Sequence, residues 1–130
     1  MTGNSIALDT NQAIAWLNGR TGLDDWMSRF SVVWLPVIVV GELRFGALKS
    51  QRASANAQRI ELLISRCGII EIKASTSQLY AQTRLALLQR GRPVPENDLW
   101  IASLCLEHNL TLATSDRHFE QIGGLKVVSP

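Results

Sequence analysis

The sequence predicts an α/β fold: a single domain with a central, mostly parallel sheet of four to five short strands, flanked by helices on both faces. Three observations predict it. Short apolar or β-branched runs alternate with stretches of helical periodicity along the chain, and strands separated by helices pair in parallel with the helices covering the sheet. The 130 residues, 46% of them hydrophobic, suffice for one core. No linker, repeat or low-complexity stretch divides the chain, so one domain over 1–130 is expected.

The elements follow in order. Ser5 to Leu8 reads as a strand stopped by Asp9-Thr10-Asn11, and a helix from about Asn11 to Asn18 ends at Gly19, a usual helix stop. Leu23 to Phe30 reads as a short helix, and Ser31 to Trp34, β-branched and aromatic, as a second strand. Pro36 suits the first turn of a helix continuing to about Lys49. Between Gln51 and Arg66, Ala53, Ala57, Ile60 and Ile64 fall at helical spacing, and Cys67-Gly68 ends that helix. Ile69 to Ile72 reads as a strand. Ser75-Thr76-Ser77-Gln78 matches a capping box opening a helix with Ala81, Leu85 and Leu88 on one stripe, broken by Gly91, Pro93 and Pro95. Asn97 is a suitable N-cap for a helix from Asp98 to Glu107, whose Leu99 to Leu106 are nearly all apolar and predict burial around most of its circumference. Leu110 to Thr114 reads as a strand ending at Ser115-Asp116, and Lys126 to Val128 as a last one.

Composition narrows the function. The longest apolar run, Val32 to Gly41, is about half of the ~20 residues a membrane span needs, and it contains Pro36. The start, Met1 to Ser5, lacks a basic region followed by an apolar stretch, so the expectation is a cytoplasmic protein with no membrane partner. Cys67 and Cys105 have no zinc-type spacing and read as reduced thiols. The net charge of +2 hides a contrast: if four acids share one site, 13 basic residues face only seven acids elsewhere. A basic body around an acidic pit suits a nuclease, which must attract phosphates and hold a metal.

Sites in open α/β sheets form beyond the carboxyl ends of the strands. Asp9 and Asp116 follow strands, and Asp98 lies in a helix's first turn, where the dipole favours negative charge. Each also has a bland reading: Asp9 as a helix cap, Asp98 as a dipole partner, Asp116 as a turn residue. Glu42 is the most informative acid. It sits in an apolar helix and shares a face with Ile38 and Phe45; a carboxylate there pairs with a base such as Arg44, reaches solvent, or binds a metal. Clustered carboxylates repel one another and are the oxygen donors that Mg²⁺ and Mn²⁺ require.

Four stretches resemble the motifs of the PIN-domain family, and within it the VapC-type toxins of bacterial toxin–antitoxin pairs: Ala7-Leu-Asp-Thr-Asn11, Val40-Gly-Glu-Leu-Arg-Phe-Gly46, Pro93-Val-Pro-Glu-Asn-Asp-Leu-Trp-Ile-Ala102 and Thr114-Ser-Asp-Arg-His-Phe119. The resemblance implies an endoribonuclease dependent on Mg²⁺ or Mn²⁺, with Asp9, Glu42, Asp98 and Asp116 as catalytic and metal-binding acids. It implies that Thr10, Asn11 and Thr114 orient them, and products with a 5′-phosphate and a 3′-hydroxyl. A cognate antitoxin and a homodimer are the expected protein partners, with RNA as substrate. Arg44, Arg92 and Arg117, beside the motif acids, are candidates for RNA contact. Ser115 stands where many relatives have Asn, and His118 where some have a further acid, which predicts a weaker second metal position. Two alternatives remain open. One is a catalytically silent PIN-type binding module. The other, a receiver-like phosphoacceptor, fits poorly, since the middle strand offers no acceptor Asp and Lys126 opens a strand.

Overall fold

The computed structural model describes residues 4–130; the reading of residues 1–3 lies outside them. The elements are β1 (Ser5–Leu8), α1 (Thr10–Leu17), α2 (Leu23–Met27), β2 (Val32–Pro36), α3 (Val37–Leu48), α4 (Ala53–Ser65), β3 (Gly68–Ile70), α5 (Ala74–Gln89), α6 (Glu96–Glu107), β4 (Leu112–Ala113), a 3₁₀ turn (Arg117–Gln121) and β5 (Val127–Val128). All five strands pair in parallel, in the order β3-β2-β1-β4-β5. The chain therefore steps outward from β1 to β3, then returns to β1's other side to lay down β4 and β5. Right-handed crossovers place the helices of those two halves on opposite faces of the sheet. β1, at the centre, is covered on both faces: Ile6, Ala7 and Leu8 are at most 1% exposed. This order differs from the 2-1-3-4-5 arrangement of receiver-type sheets, which removes the phosphoacceptor reading.

Local chemistry moves several boundaries. Pro36 is the last residue of β2, opposite Ile70, and its extended ψ of 141° puts it in the cap position of α3 rather than in the first turn. Pro95, not Asn97, caps α6: the Pro95 carbonyl accepts the Leu99 N–H at 3.0 Å, so helical bonding starts earlier than expected. α5 is capped at Lys73, whose backbone N–H donates to Thr76 Oγ1 at 3.0 Å. The capping box therefore does not open at Ser75. The stripe expected inside α5 faces out, with Leu85 54% and Leu88 74% exposed, whereas Leu87 and Thr76 are buried. Periodicity gives the spacing of a stripe but not its phase relative to the core. α6 meets the expectation: Leu99 and Ile101 to Cys105 are buried, and the buried Ser103 hydroxyl is satisfied by the Leu99 carbonyl. Both cysteines are free, and burial pushes Cys105 up to about 12 and Cys67 up to about 11, which keeps them as unreactive thiols.

β3 depends on a glycine. Gly68 lies opposite Trp34, and a Cβ there would come within 2.4 Å of the indole ring. Gly68→Ala is expected to destabilise the fold by about 1–3 kcal/mol, the usual cost of overpacking. An unchanged denaturation midpoint would contradict this close approach.

Candidate metal centre

The strand order reverses between β1 and β4, and ligand sites of parallel sheets form at such a switch point, beyond the carboxyl ends of the strands. Asp9 follows β1 directly, and Thr114, Ser115 and Asp116 follow β4. Asp98 arrives from the first turn of α6 and Glu42 from the middle of α3.

Asp9 is 4% exposed. One carboxylate oxygen accepts the Gln12 N–H at 2.9 Å, so Asp9 does cap α1; the other accepts the Thr114 hydroxyl. Thr114 Oγ1 also accepts the Asp116 N–H at 3.0 Å. One hydroxyl thus links acids that follow two different strands. Glu42 is held by Thr10, whose Oγ1 donates to Glu42 Oε1 at 2.7 Å. Burial pushes Asp9 above the ordinary carboxylate range against the pull of the Thr114 and Gln12 hydrogen bonds, and the charges of Asp116 and Glu42 add to the rise. Asp98 is pushed up to about 6, first by burial, then by Asp116 and Glu42; His118 opposes this, and Asp9 contributes least. Asp98 therefore feels the charges of Asp116, Glu42 and Asp9, and Asp9 those of Asp116 and Glu42. Asp98, Asp116 and His118 form one group: one donor atom from each lies within 4.8 Å of the others.

The remaining candidates divide. Thr10 and Thr114 contact the acids as described. Asn11 is exposed, and its side chain makes no hydrogen bond among those of the described residues. Arg44 does not neutralise Glu42; it forms a two-pronged pair with Glu61, at 2.8 and 3.0 Å. Arg92 and Arg117 are exposed and have no ion-pair partner among the described residues. Two residues were not anticipated in the site. His118 sits two positions after Asp116, with Nδ1 3.0 Å from Asp116 Oδ1; the Asp-x-His spacing in a tight turn was the available signal. Gln12 is 3% exposed; its Nε2 donates to Ser115 Oγ at 3.0 Å, and its Oε1 is buried without a partner. A polar residue one turn after Asp9 in an otherwise apolar helix face was its signal.

The donor set fits a divalent cation. Carboxylates that raise one another's pKa are relieved by a shared positive ion, oxygen and imidazole donors suit such ions, and the orphaned Gln12 Oε1 beside Ser115 marks an unmet polar demand at this edge. Asp98, Asp116 and His118, with Asp9 and Glu42, are the residues that would hold it.

Fold and site together define a class: α/β domains that gather acids for a divalent cation where a parallel sheet reverses its strand order. Within that class the chain belongs to the PIN-domain family, whose profile matches residues 6–125. The chain is 34% identical to the tRNA(fMet)-specific endonuclease VapC of Shigella flexneri, over 92% of each protein. It is 31% identical to ribonuclease VapC2 of Rickettsia felis, over 91% of this chain and 92% of that one. The crystal structure of VapBC2 from Rickettsia felis bound to a promoter DNA fragment superposes with a TM-score of 0.91 at 27% identity, covering 96% of this chain and 98% of that one.

Proposed function

We propose that this chain is the endoribonuclease toxin of a VapBC-type toxin–antitoxin pair, dependent on Mg²⁺ or Mn²⁺ and acting on RNA in the cytoplasm. The carrying observation is that acids from β1, α3, α6 and the turn after β4 converge at the switch point of a chain whose full-length relatives are ribonucleases. A bound divalent ion supplies Lewis acidity and a water of lowered pKa at the reacting phosphate.

The chain's own residues do the rest. Asp9, Glu42, Asp98 and Asp116 supply the oxygen donors. Thr114 and Thr10 fix three of these acids in advance by the hydrogen bonds above, which saves ordering cost when cation and phosphate bind. Arg92 and Arg117, free of ion pairs among the described residues, are better placed to meet RNA phosphates than Arg44, which Glu61 already occupies. Water attacks phosphorus and the P–O3′ bond breaks, leaving a 5′-phosphate and a 3′-hydroxyl. The antitoxin partner is supported by the solved VapBC complexes that share this fold. The outward Leu85 and Leu88 of α5 favour burial against a second copy of the chain, consistent with a homodimer. No helix among the described residues is long and apolar enough to cross a membrane.

The test is incubation of end-labelled RNA with the purified chain in MgCl₂ or MnCl₂, beside DNA of the same sequence. Cleavage confined to RNA, with 3′ ends that accept enzymatic extension, is the expected result. Folded protein that binds RNA but leaves it whole in both metals would instead establish a silent binding module.

A further inference from the structure

His118 has no part in the sequence expectation except as the absence of an acid, yet the fold brings it onto the metal centre. The 3₁₀ turn that carries it is pinned at two points: Asp116 Oδ1 accepts the His118 N–H at 2.9 Å, and Phe119, next in line, is fully buried. The imidazole is thereby folded back over the same carboxylate, with Nδ1 at 3.0 Å from Oδ1. Two donors that each lie ~2.1 Å from one ion, at right angles, are ~3.0 Å apart. The spacing is that of neighbouring donors to a single cation. A plain ion pair accounts for the 3.0 Å separation as well, but a pair whose side chains are 49% and 33% exposed holds its geometry weakly. It also gives no reason for Asp98, from a helix that precedes β4, to bring a carboxylate oxygen within 4.8 Å of both.

We propose that the His118 imidazole is itself a donor to the metal, completing an Asp98–Asp116–His118 group, and that this nitrogen biases the centre toward Mn²⁺ over Mg²⁺. The inference rests on the metal-dependent reading above and adds which ion the site selects. The chemistry is direct. Mg²⁺ is a hard cation that loses water reluctantly and favours oxygen donors, whereas imidazole suits transition metals. An acid at position 118 would add charge for either ion; an imidazole adds a donor that only one of them uses well. The lesser affinity for a second ion, expected from the missing acid, becomes instead a change of preference at the first.

The experiment uses the full chain without RNA, with MnCl₂ and MgCl₂ as probes. Mn²⁺ affinity is read from the free-ion electron paramagnetic resonance signal, Mg²⁺ affinity by competition, and direct nitrogen coordination from the ¹⁴N coupling of bound Mn²⁺. The variants are His118→Ala, His118→Asp, Asp98→Asn, and His108→Gln as the control for the chain's other histidine. His118→Ala is expected to weaken Mn²⁺ binding about 10-fold and Mg²⁺ binding less than about twofold, a loss in the range typical of groups that support a metal. The nitrogen coupling disappears in that variant and persists in His108→Gln. His118→Asp narrows the Mn²⁺/Mg²⁺ ratio without loss of Mg²⁺ binding, which also shows that position 118 tolerates change. Unaltered Mn²⁺ affinity in His118→Ala, or no nitrogen coupling in the native chain, overturns the proposal. If Asp98→Asn loses Mn²⁺ while His118→Ala retains it, the imidazole role falls and the metal centre stands. If neither variant changes Mn²⁺ binding, both fall.

Discussion

Replacing Asp98 by Asn is expected to lower RNA cleavage by on the order of 10³-fold or more while making the metal-free protein more stable at pH 7. The two effects share one cause. Asp98 is pushed up to about 6 by burial and by the acids around it, so its ionised form is costly in the fold unless a cation is present. Because the folded-state value lies above the ordinary 3.8, the folded state holds the proton more tightly between those two pH values. Stability contributed by this group is therefore present at low pH and declines as pH rises from about 4 to about 6. The amide never ionises and escapes that loss, worth about 1–2 kcal/mol after allowance for solvent screening. The advantage of Asp98→Asn should shrink as pH falls through 6 and vanish near 4. Asp9→Asn should act in the same direction on cleavage, since that carboxyl is also raised by burial and carries the link to Thr114. Thermal melts at pH 4, 5, 6 and 7 in EDTA, beside single-turnover cleavage, measure both halves. Retained cleavage in either variant defeats the assignment of the acids; a less stable Asp98→Asn at pH 7 defeats the electrostatic account.

The second large effect is metal linkage. A cation that binds only the folded chain adds stability by mass action, about 2.7 kcal/mol at a hundredfold excess over its Kd. For a chain of this length that corresponds to a rise of roughly 8–12 °C in Tm. MnCl₂ should produce it, EDTA should reverse it, and RNA cleavage should disappear and return in parallel. The rise should diminish as pH falls through 6, because a proton on Asp98 competes with the ion for the same oxygen. If all four acids hold the ion, as proposed, it would also tie β1, α3, α6 and the β4 turn together. A Tm indifferent to millimolar Mn²⁺ and Mg²⁺ would mean that the acids do not form a preformed site.

Element type was legible where the pattern is local. Ile6 to Leu8 is a short apolar run cut off by Asp9, and it forms β1 within the expected limits. The continuous apolar surface of Leu99 to Leu106 left α6 no option but burial. The candidate acids stood out because a carboxylate in an apolar helix, or straight after a strand, needs a reason to be there. Asp9 illustrates why such reasons are not exclusive: its cap bond to Gln12 and its place in the acidic group use different oxygens.

Other features depend on which surfaces meet. Helical spacing put Ala81, Leu85 and Leu88 of α5 on one stripe, but packing against α6 turned Leu87 inward instead. The same holds for charge: Arg44 lies two residues from Glu42, yet on a helix such neighbours point apart, and Arg44 finds Glu61 on α4.

From the chain alone came the α/β class, the candidate acids and the expectation of a hard divalent cation, because strand and helix periods, caps and unpaired carboxylates are written within a few residues of each other. Folding in three dimensions supplied the placement of β4 beside β1, the Thr114 hydroxyl that spans 105 residues to reach Asp9, the Gln12–Ser115 link and the return of His118 onto Asp116. Those depend on strand order and on the phase of each helix against the core, which are decided by the burial of the whole apolar surface at once and by no single segment of it.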